Sequence, residues 1–269
     1  ALYTAYTGMV NEQKRLDVIS NNVANASTVG YKTERATSQS FKEELTYKIK
    51  DASVAYNREN IGNMSLGTKI GEVYTDYSQG SLRETGNTYD LAIEGKGFFQ
   101  VAHTDSNGNT TTRYTRDGSF TMTKDGDIVD ADGNKLLGVN GAIRVPVDAK
   151  EISIANDGVI YADDTYIDTI QLTDFQDYDF LEHFGDNMYG AVQGATQIPT
   201  DAIIDQGFTE QSNVNTVSEM VDMIAVTRAY EAGQKMIKTV DGMLDAAVNS
   251  VGSVNGCINT ETIDTHLDE

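Results

Sequence analysis

From Leu2 to about Ala26 the apolar positions fall at Leu2, Ala5, Met9, Leu16, Ile19, Val23 and Ala26. Those steps are mostly three, four or seven residues, the period of an α-helix with one buried face. Gly30 stands where a left-handed residue would end such a helix. A short second amphipathic stretch, with Phe41 and Leu45 one turn apart, is expected after it. At the other end Val226, Tyr230, Gly233, Ile237, Val240, Leu244, Ala247 and Val251 are spaced 4-3-4-3-4-3-4. That is a heptad seam, which keeps one helix face against a partner helix. Ser212 to Thr216 supplies polar caps ahead of Val217, Met220, Val221 and Ile224. A helix over 214–251 would be about 57 Å long at about 1.5 Å per residue. Gly233 and Gly242 each cost it about 1 kcal/mol relative to Ala, so it needs packing partners.

Between the two helices the period becomes two. Runs over 68–77, 90–94, 98–102, 119–123, 151–155 and 166–173 alternate as strands do. Asn-Gly or Asp-Gly pairs at Asn107, Asp117, Asp125, Asp132, Asn140 and Asp157 punctuate them, as tight β-turns prefer. The predicted class is α+β: N- and C-terminal helices pairing as a coiled-coil-like domain, with an inserted all-β domain of short antiparallel strands. Residues 1–32 with 212–251 make the helical part, and 33–67 an extended connection. Residues 68–211 make the β-rich domain, and 252–269 an acidic tail expected to be disordered.

Composition narrows the function. Twenty Lys and Arg against 41 Asp and Glu leave a formal charge of −21, which excludes a nucleic-acid binder. An anionic lipid surface would repel the chain as well. No run of about eighteen apolar residues exists, so no membrane insertion is expected. Ala1 to Val10 lack the basic, apolar and cleavage regions of a secretory signal, so any export is expected to use another route. At 39% the apolar fraction is low, Gly is abundant at 24, Pro scarce at 2 and Trp absent. Cys257 is the single cysteine, which rules out an intrachain disulfide or a thiolate cluster.

No enzyme class rises from the residues. Asp125, Asp127, Asp130 and Asp132 form the richest acidic run, but Lys135 and Leu136 stand where calcium ligands would be needed. Turn residues of consecutive hairpins explain that run better. Asp174, Asp177, Asp179, Glu182 and His183 could bind a metal or exchange a proton, yet no second imidazole is close in sequence. A solvated loop is the better reading. Gly95-Lys96-Gly97 is too short for a phosphate loop, and no Gly-x-Ser-x-Gly elbow occurs. A pair of carboxylates meeting in space to cleave a glycan is the enzymatic alternative. No catalytic set, metal or cofactor is expected.

Several motifs stand out along the chain. At the N-terminus these are Leu2-Tyr3-Thr4-Ala5, Gly8-Met9 and the stretch from Ser20-Asn21-Asn22 through Asn25 to Gly30-Tyr31-Lys32. At the C-terminus they are Ser212-Asn213-Val214-Asn215, Glu219-Met220-Val221, Met223-Ile224 and Arg228-Ala229-Tyr230-Glu231. The β region adds 90–99, from Asp90 to Phe99, and 114–120, from Tyr114 to Phe120. Together these motifs resemble the bacterial flagellar rod and hook proteins. Within the family the segment Leu66-Gly67-Thr68-Lys69-Ile70-Gly71 favours the distal rod of the basal body. The resemblance implies a structural subunit of a helical tube that transmits motor torque to the hook. It implies homo-oligomers, contacts with other rod and hook proteins, and passage through the flagellar type III export apparatus. Location would be the basal body, beyond the cytoplasm. Alternatives are a proximal-rod or hook-type protein of the same family, or a phage-tail or adhesin-like subunit.

Assembly is expected to run through the helical termini, with Leu2, Met9, Leu16, Asn21, Asn22, Asn25, Gly30 and Tyr31 at one end. Val226, Tyr230, Ile237, Val240, Leu244 and Val251 serve at the other. Amides at 21, 22 and 25 both donate and accept, so they can join neighbouring helices without adding charge. Subunits carrying −21 repel one another, and screening shortens that repulsion from about 30 Å at 0.01 M salt to about 3 Å at 1 M. Polymerisation followed by light scattering should therefore begin at lower protein concentration as salt rises. A threshold that stays flat or climbs would mean that the acids are paired across the contacts.

Overall fold

The computed structural model describes residues 2–42, 44–48, 59–64, 67–105, 108–185 and 187–257. It is α+β: a helix at each end, α1 (Leu2–Ala24) and α2 (Thr216–Cys257), with short antiparallel strands between. The chain divides into two compact units, one of residues 1–19, 36–73 and 221–269, the other of 20–35 and 74–220.

In the first unit, most of α1 and α2 accompany extended segments. Strand Glu34–Ser40 pairs with Thr68–Thr75, and Glu44–Lys48 pairs antiparallel with Glu59–Met64. The amphipathic stretch expected around Phe41 and Leu45 is therefore extended. A single helical turn would gain one hydrogen bond for three ordered residues, whereas a strand gains a whole ladder. Phe41 itself donates its N–H to the Gly67 carbonyl at 2.9 Å.

The helix ends differ from the expectation in detail. After Ala24 the chain passes through turns before reaching Gly30, which has φ +70° but does not cap α1. At the start of α2, the Asn215 side chain accepts the Ser218 N–H at 3.2 Å, an N-cap from the predicted polar run. The helix continues to Cys257, six residues past Val251, so the first part of the expected tail is helical. The remainder, 258–269, lies outside the described residues.

The second unit is built on a ten-stranded sheet centred on Phe98–Thr104 and Thr110–Thr115, in register from Phe99 with Thr115 to Thr104 with Thr110. Alternation sends Phe98 to one side and Phe99 to the other. Phe99 joins Leu91, Ile93, Val101, Phe120, Leu136, Ile143 and Ile160 in an aliphatic core. Phe98 joins Tyr114, Phe175 and Tyr189 in an aromatic one, with Tyr77 and Tyr178 packed beside it. Each such buried side chain contributes about 1.5–3 kcal/mol. Burial pushes the Tyr77 and Tyr178 phenols up to about 12, so both rings stay neutral.

The strand expected over 166–173 is two, Thr165–Thr169 and Leu172–Phe175. It breaks because its two halves have different partners. The first pairs with Val159–Ala162, the second with Phe98 and Phe99. Gly126, Gly133, Gly141 and Gly158 turn between consecutive strands at positive φ, as their Asp-Gly and Asn-Gly pairs predict. Asp117-Gly118 is different. A Cβ at Gly118 would lie 1.6 Å from the Leu91 carbonyl oxygen, so this glycine permits a close crossing of two chains. Asn107 lies outside the described residues.

Candidate functional site

The motifs that carry the resemblance meet in space. Gly30 donates its N–H to the Glu210 carbonyl at 2.8 Å. Two residues on, the Lys32 ammonium reaches the Glu210 carboxylate at 2.5 Å and the Ser78 carbonyl at 2.8 Å. Arg116 donates to the other Glu210 oxygen at 3.2 Å and to the Gly95 carbonyl at 2.8 Å. The Gly80 N–H adds a third bond to the carboxylate at 2.8 Å. Lys32 and Glu210 are each 1% exposed and Arg116 3%, so this is an ion cluster closed to water.

Neighbouring bonds tie the same stretches. Asn213 accepts both the N–H and the hydroxyl of Thr33 at 2.8 Å, and donates to the carbonyls of Asp76 and Ser78. Asn22 donates to the Glu34 carbonyl at 2.8 Å and accepts from the Glu34 N–H and the Tyr31 hydroxyl. Gly30 is required where it stands: a Cβ would sit 2.4 Å from the Asp117 nitrogen, and φ is +70°. Asn187 bonds the Val29 carbonyl at 3.0 Å, and half-buried Asp117 holds Ser119. Burial raises the Asp117 carboxyl above its ordinary value.

Of the three asparagines expected to join other helices, Asn22 is buried and spent within the chain. Asn25 donates to the Asn21 side chain at 2.8 Å and accepts from Thr28, closing the end of α1. Tyr31 is likewise buried in the clasp. Sequence reasoning did not anticipate the roles of Lys32, Arg116, Glu210 and Asn213. The signal was present, since three lie inside quoted motifs, but sequence gives no means of matching a cation to a carboxylate 178 positions away.

The helices supply the second part of the site. Along α2 the heptad positions are its sheltered face: Val226 is buried, and Tyr230, Gly233, Ile237 and Val240 are half-buried. A Cβ on Gly233 would lie 2.7 Å from Met9 Cγ, so the glycine that weakens α2 is where α1 passes. Met9 and Leu16 are half-buried on α1, and Leu2 is exposed. Further along, Leu244 is 55% exposed, and Val251 continues the helix. A second register was not read from the sequence. Ala225, Ala229, Ala232, Met236, Thr239, Met243 and Ala246 are spaced 4-3-4-3-4-3, one residue behind the first seam, and all are exposed. Leu2, Tyr3, Tyr6 and Val10 expose a further apolar face on α1.

The acidic runs are structural. Asp127 pairs with Lys135 at 2.7 Å and Arg144 at 3.0 Å, which holds its carboxyl below the usual range. Asp130 accepts the N–H groups of Asp132 and Asn134. Asp174 accepts the Tyr178 hydroxyl at 2.7 Å, Asp177 caps the turn at Tyr178–Phe180, and His183 packs edge-on against Tyr189.

Three family models match the chain. Residues 2–32 match a flagella basal body rod protein model, 92–162 the flagellar hook protein FlgE/F/G D1 domain, and 205–250 the flagellar basal body rod FlgEFG protein C-terminal region. The flagellar basal-body rod protein FlgG of Bacillus subtilis is 35% identical, over 93% of this chain and 98% of the relative. FlgG of Agrobacterium fabrum is 35% identical, over 90% and 96%. FlgF of Caulobacter vibrioides is 32% identical, over 95% and 99%.

The ion cluster sets a stability prediction. Glu210→Gln leaves two cations facing each other without an anion, and should cost about 3–5 kcal/mol in urea unfolding. Lys32→Met should cost less, because Arg116 keeps the carboxylate paired. Burial, opposed by Glu210, holds the Lys32 ammonium below its ordinary 10.5. The unfolded chain then binds the extra proton, so Lys32 makes stability rise with pH between the lowered value and 10.5. Relative to wild type, Lys32→Met should lose that rise.

Proposed function

As the chain belongs to the flagellar basal-body rod protein family, we propose that it is the distal-rod subunit and that it builds a helical tube through its terminal helices. Proteins of this family are structural subunits of the flagellum basal body and not enzymes. Among the described residues no helix is long and apolar enough to cross a membrane.

The observation that carries the assembly reading is the second register of α2. A helix whose first seam lies against α1 at Met9 still presents Met236 and Met243 at 55% and 59% exposure. Exposed large apolar side chains repeating at heptad spacing need a helix to cover them. Pairing of α1 with α2 in a coiled-coil-like manner fits the close approach at Gly233. Copies of this chain then supply the cover for the second face, which makes the assembly a homo-oligomer. The tube carries torque from motor to hook, joins other rod and hook proteins at its ends, and receives subunits from the type III export apparatus. That route places the assembled protein beyond the cytoplasm. The clasp suits the load, because the stretches next to the two helices, at Lys32 and at Glu210, meet Arg116 at one buried point.

Electron microscopy of the concentrated protein should show straight tubes. Met243→Asp places a charge on a face that is open in the single chain, so the β domain should melt as in wild type. In the assembly the same charge is buried without a partner at a cost of several kcal/mol, so tubes and motility should be lost. Val240→Asp on the first seam should behave alike, and Thr165→Asp, on an exposed strand, should assemble. Normal tubes from Met243→Asp would remove the second register from the interface.

A further inference from the structure

The chain holds eight methionines, and they are unequally sheltered. Met188 is buried in the aliphatic core, and Met122 packs against that core with its sulfur accepting the Tyr89 hydroxyl at 3.2 Å. Met9 and Met223 are half-buried. Among the described residues the methionines exposed over more than half their surface, Met220, Met236 and Met243, all lie on α2. Met236 and Met243 are one heptad apart in the exposed register, whose other members are Ala225, Ala229, Ala232, Thr239 and Ala246. They are therefore the long side chains of that face, and they supply most of the apolar surface that a neighbouring helix would cover. The hydroxyl between them, on Thr239, already donates to the Lys235 carbonyl at 2.9 Å.

A thioether is apolar and flexible, which suits an interface, but it is also the group on this face that hydrogen peroxide oxidises. The sulfur lone pair bonds to one peroxide oxygen as the O–O bond breaks, so sulfur loses two electrons. The other oxygen takes the released pair and the proton of the transferred hydroxyl, and departs as water. What remains is a sulfoxide, a polar acceptor where an apolar sulfur stood. In the free subunit water satisfies that acceptor. Under a covering helix it is stripped of water, and the Thr239 hydroxyl beside it is already engaged. We infer that Met236 and Met243 are an oxidation switch on assembly: peroxide converts them to sulfoxides in the free subunit, the modified chain is excluded from the tube, and a finished tube shields both sulfurs. This rests on the reading that copies of the chain cover the second register of α2.

The test follows the full chain by peptide mass mapping and by the protein concentration at which light scattering marks polymerisation. Free wild type treated with hydrogen peroxide should gain one oxygen at Met236 and one at Met243. It should then need about tenfold more protein to polymerise, with its β domain melting as before. Preformed tubes given the same treatment should keep both sulfurs reduced. Met236→Leu with Met243→Leu, which preserves apolar volume, should assemble like wild type before and after treatment. Repair of the oxidised wild type by the two methionine sulfoxide reductases, one for each epimer, should restore its threshold without any substitution. Unchanged polymerisation of chains carrying both sulfoxides would overturn the switch. So would equal loss of assembly by the leucine variant, or oxidation of both residues in tubes at the free-chain rate. Met243→Asp separates the two readings: if it abolishes tubes while the sulfoxides do not, the register stays in the interface and the switch alone falls. Absence of tubes from untreated protein would remove both.

Discussion

Glu210 is a carboxylate cut off from water, and it is stable there only because donors reach it from three directions. Lys32 arrives from the end of the N-terminal arm, Arg116 from the middle of the β domain, and Gly80 from the strand connection between them. A buried ion pair adds little net energy compared with well-packed apolar side chains, but leaving one partner out is costly. The cluster therefore works as a condition on geometry. Any arrangement that fails to bring residues 32, 116 and 210 together leaves a charge stranded. Asn213 and Asn22 reinforce it with neutral amides that are used within the chain.

Fixing both arms at one place has a consequence for the helices. α2 starts three residues after Asn213 and α1 ends six residues before Gly30, so the clasp fixes the chain just outside both helices. Tertiary packing within one chain covers Val226 and shelters the seam as far as Val240. From Asp241 to Ser250 α2 is exposed all round, Leu244 and Val248 included. An isolated helix of this composition gains little from propensity alone, and two glycines weaken it further. In the proposed assembly, neighbouring helices would supply the missing apolar cover.

Much of this was legible in the sequence because it depends on local period. The 4-3 spacing from Val226 is the sheltered face, and Asp125-Gly126, Asp132-Gly133 and Asp157-Gly158 are turns. Elements that depend on partners were not legible. Nothing local says that residues 165–175 change partner after Thr169, or that Phe41 lies in an extended segment. Asn22 has the same composition signal as Asn21 and Asn25, yet burial alone makes it a hub. Nothing in the sequence marks Lys32 as buried, since lysine is almost never fully buried unless paired. The second register on α2 was visible but masked by its small residues, since Ala at four of seven positions looks like propensity rather than an interface.

Amide hydrogen exchange, compared between the monomer and the assembled tube, tests the account most directly. The Gly30 and Gly80 amides, bonded to Glu210, should be protected in both states, because the clasp belongs to the single chain. Amides from Met236 to Ser250 should exchange rapidly in the monomer and become strongly protected in the tube. Uniform protection of α2 in the monomer, or continued rapid exchange of that stretch after assembly, would contradict the claim that a buried clasp holds two helices open for their neighbours.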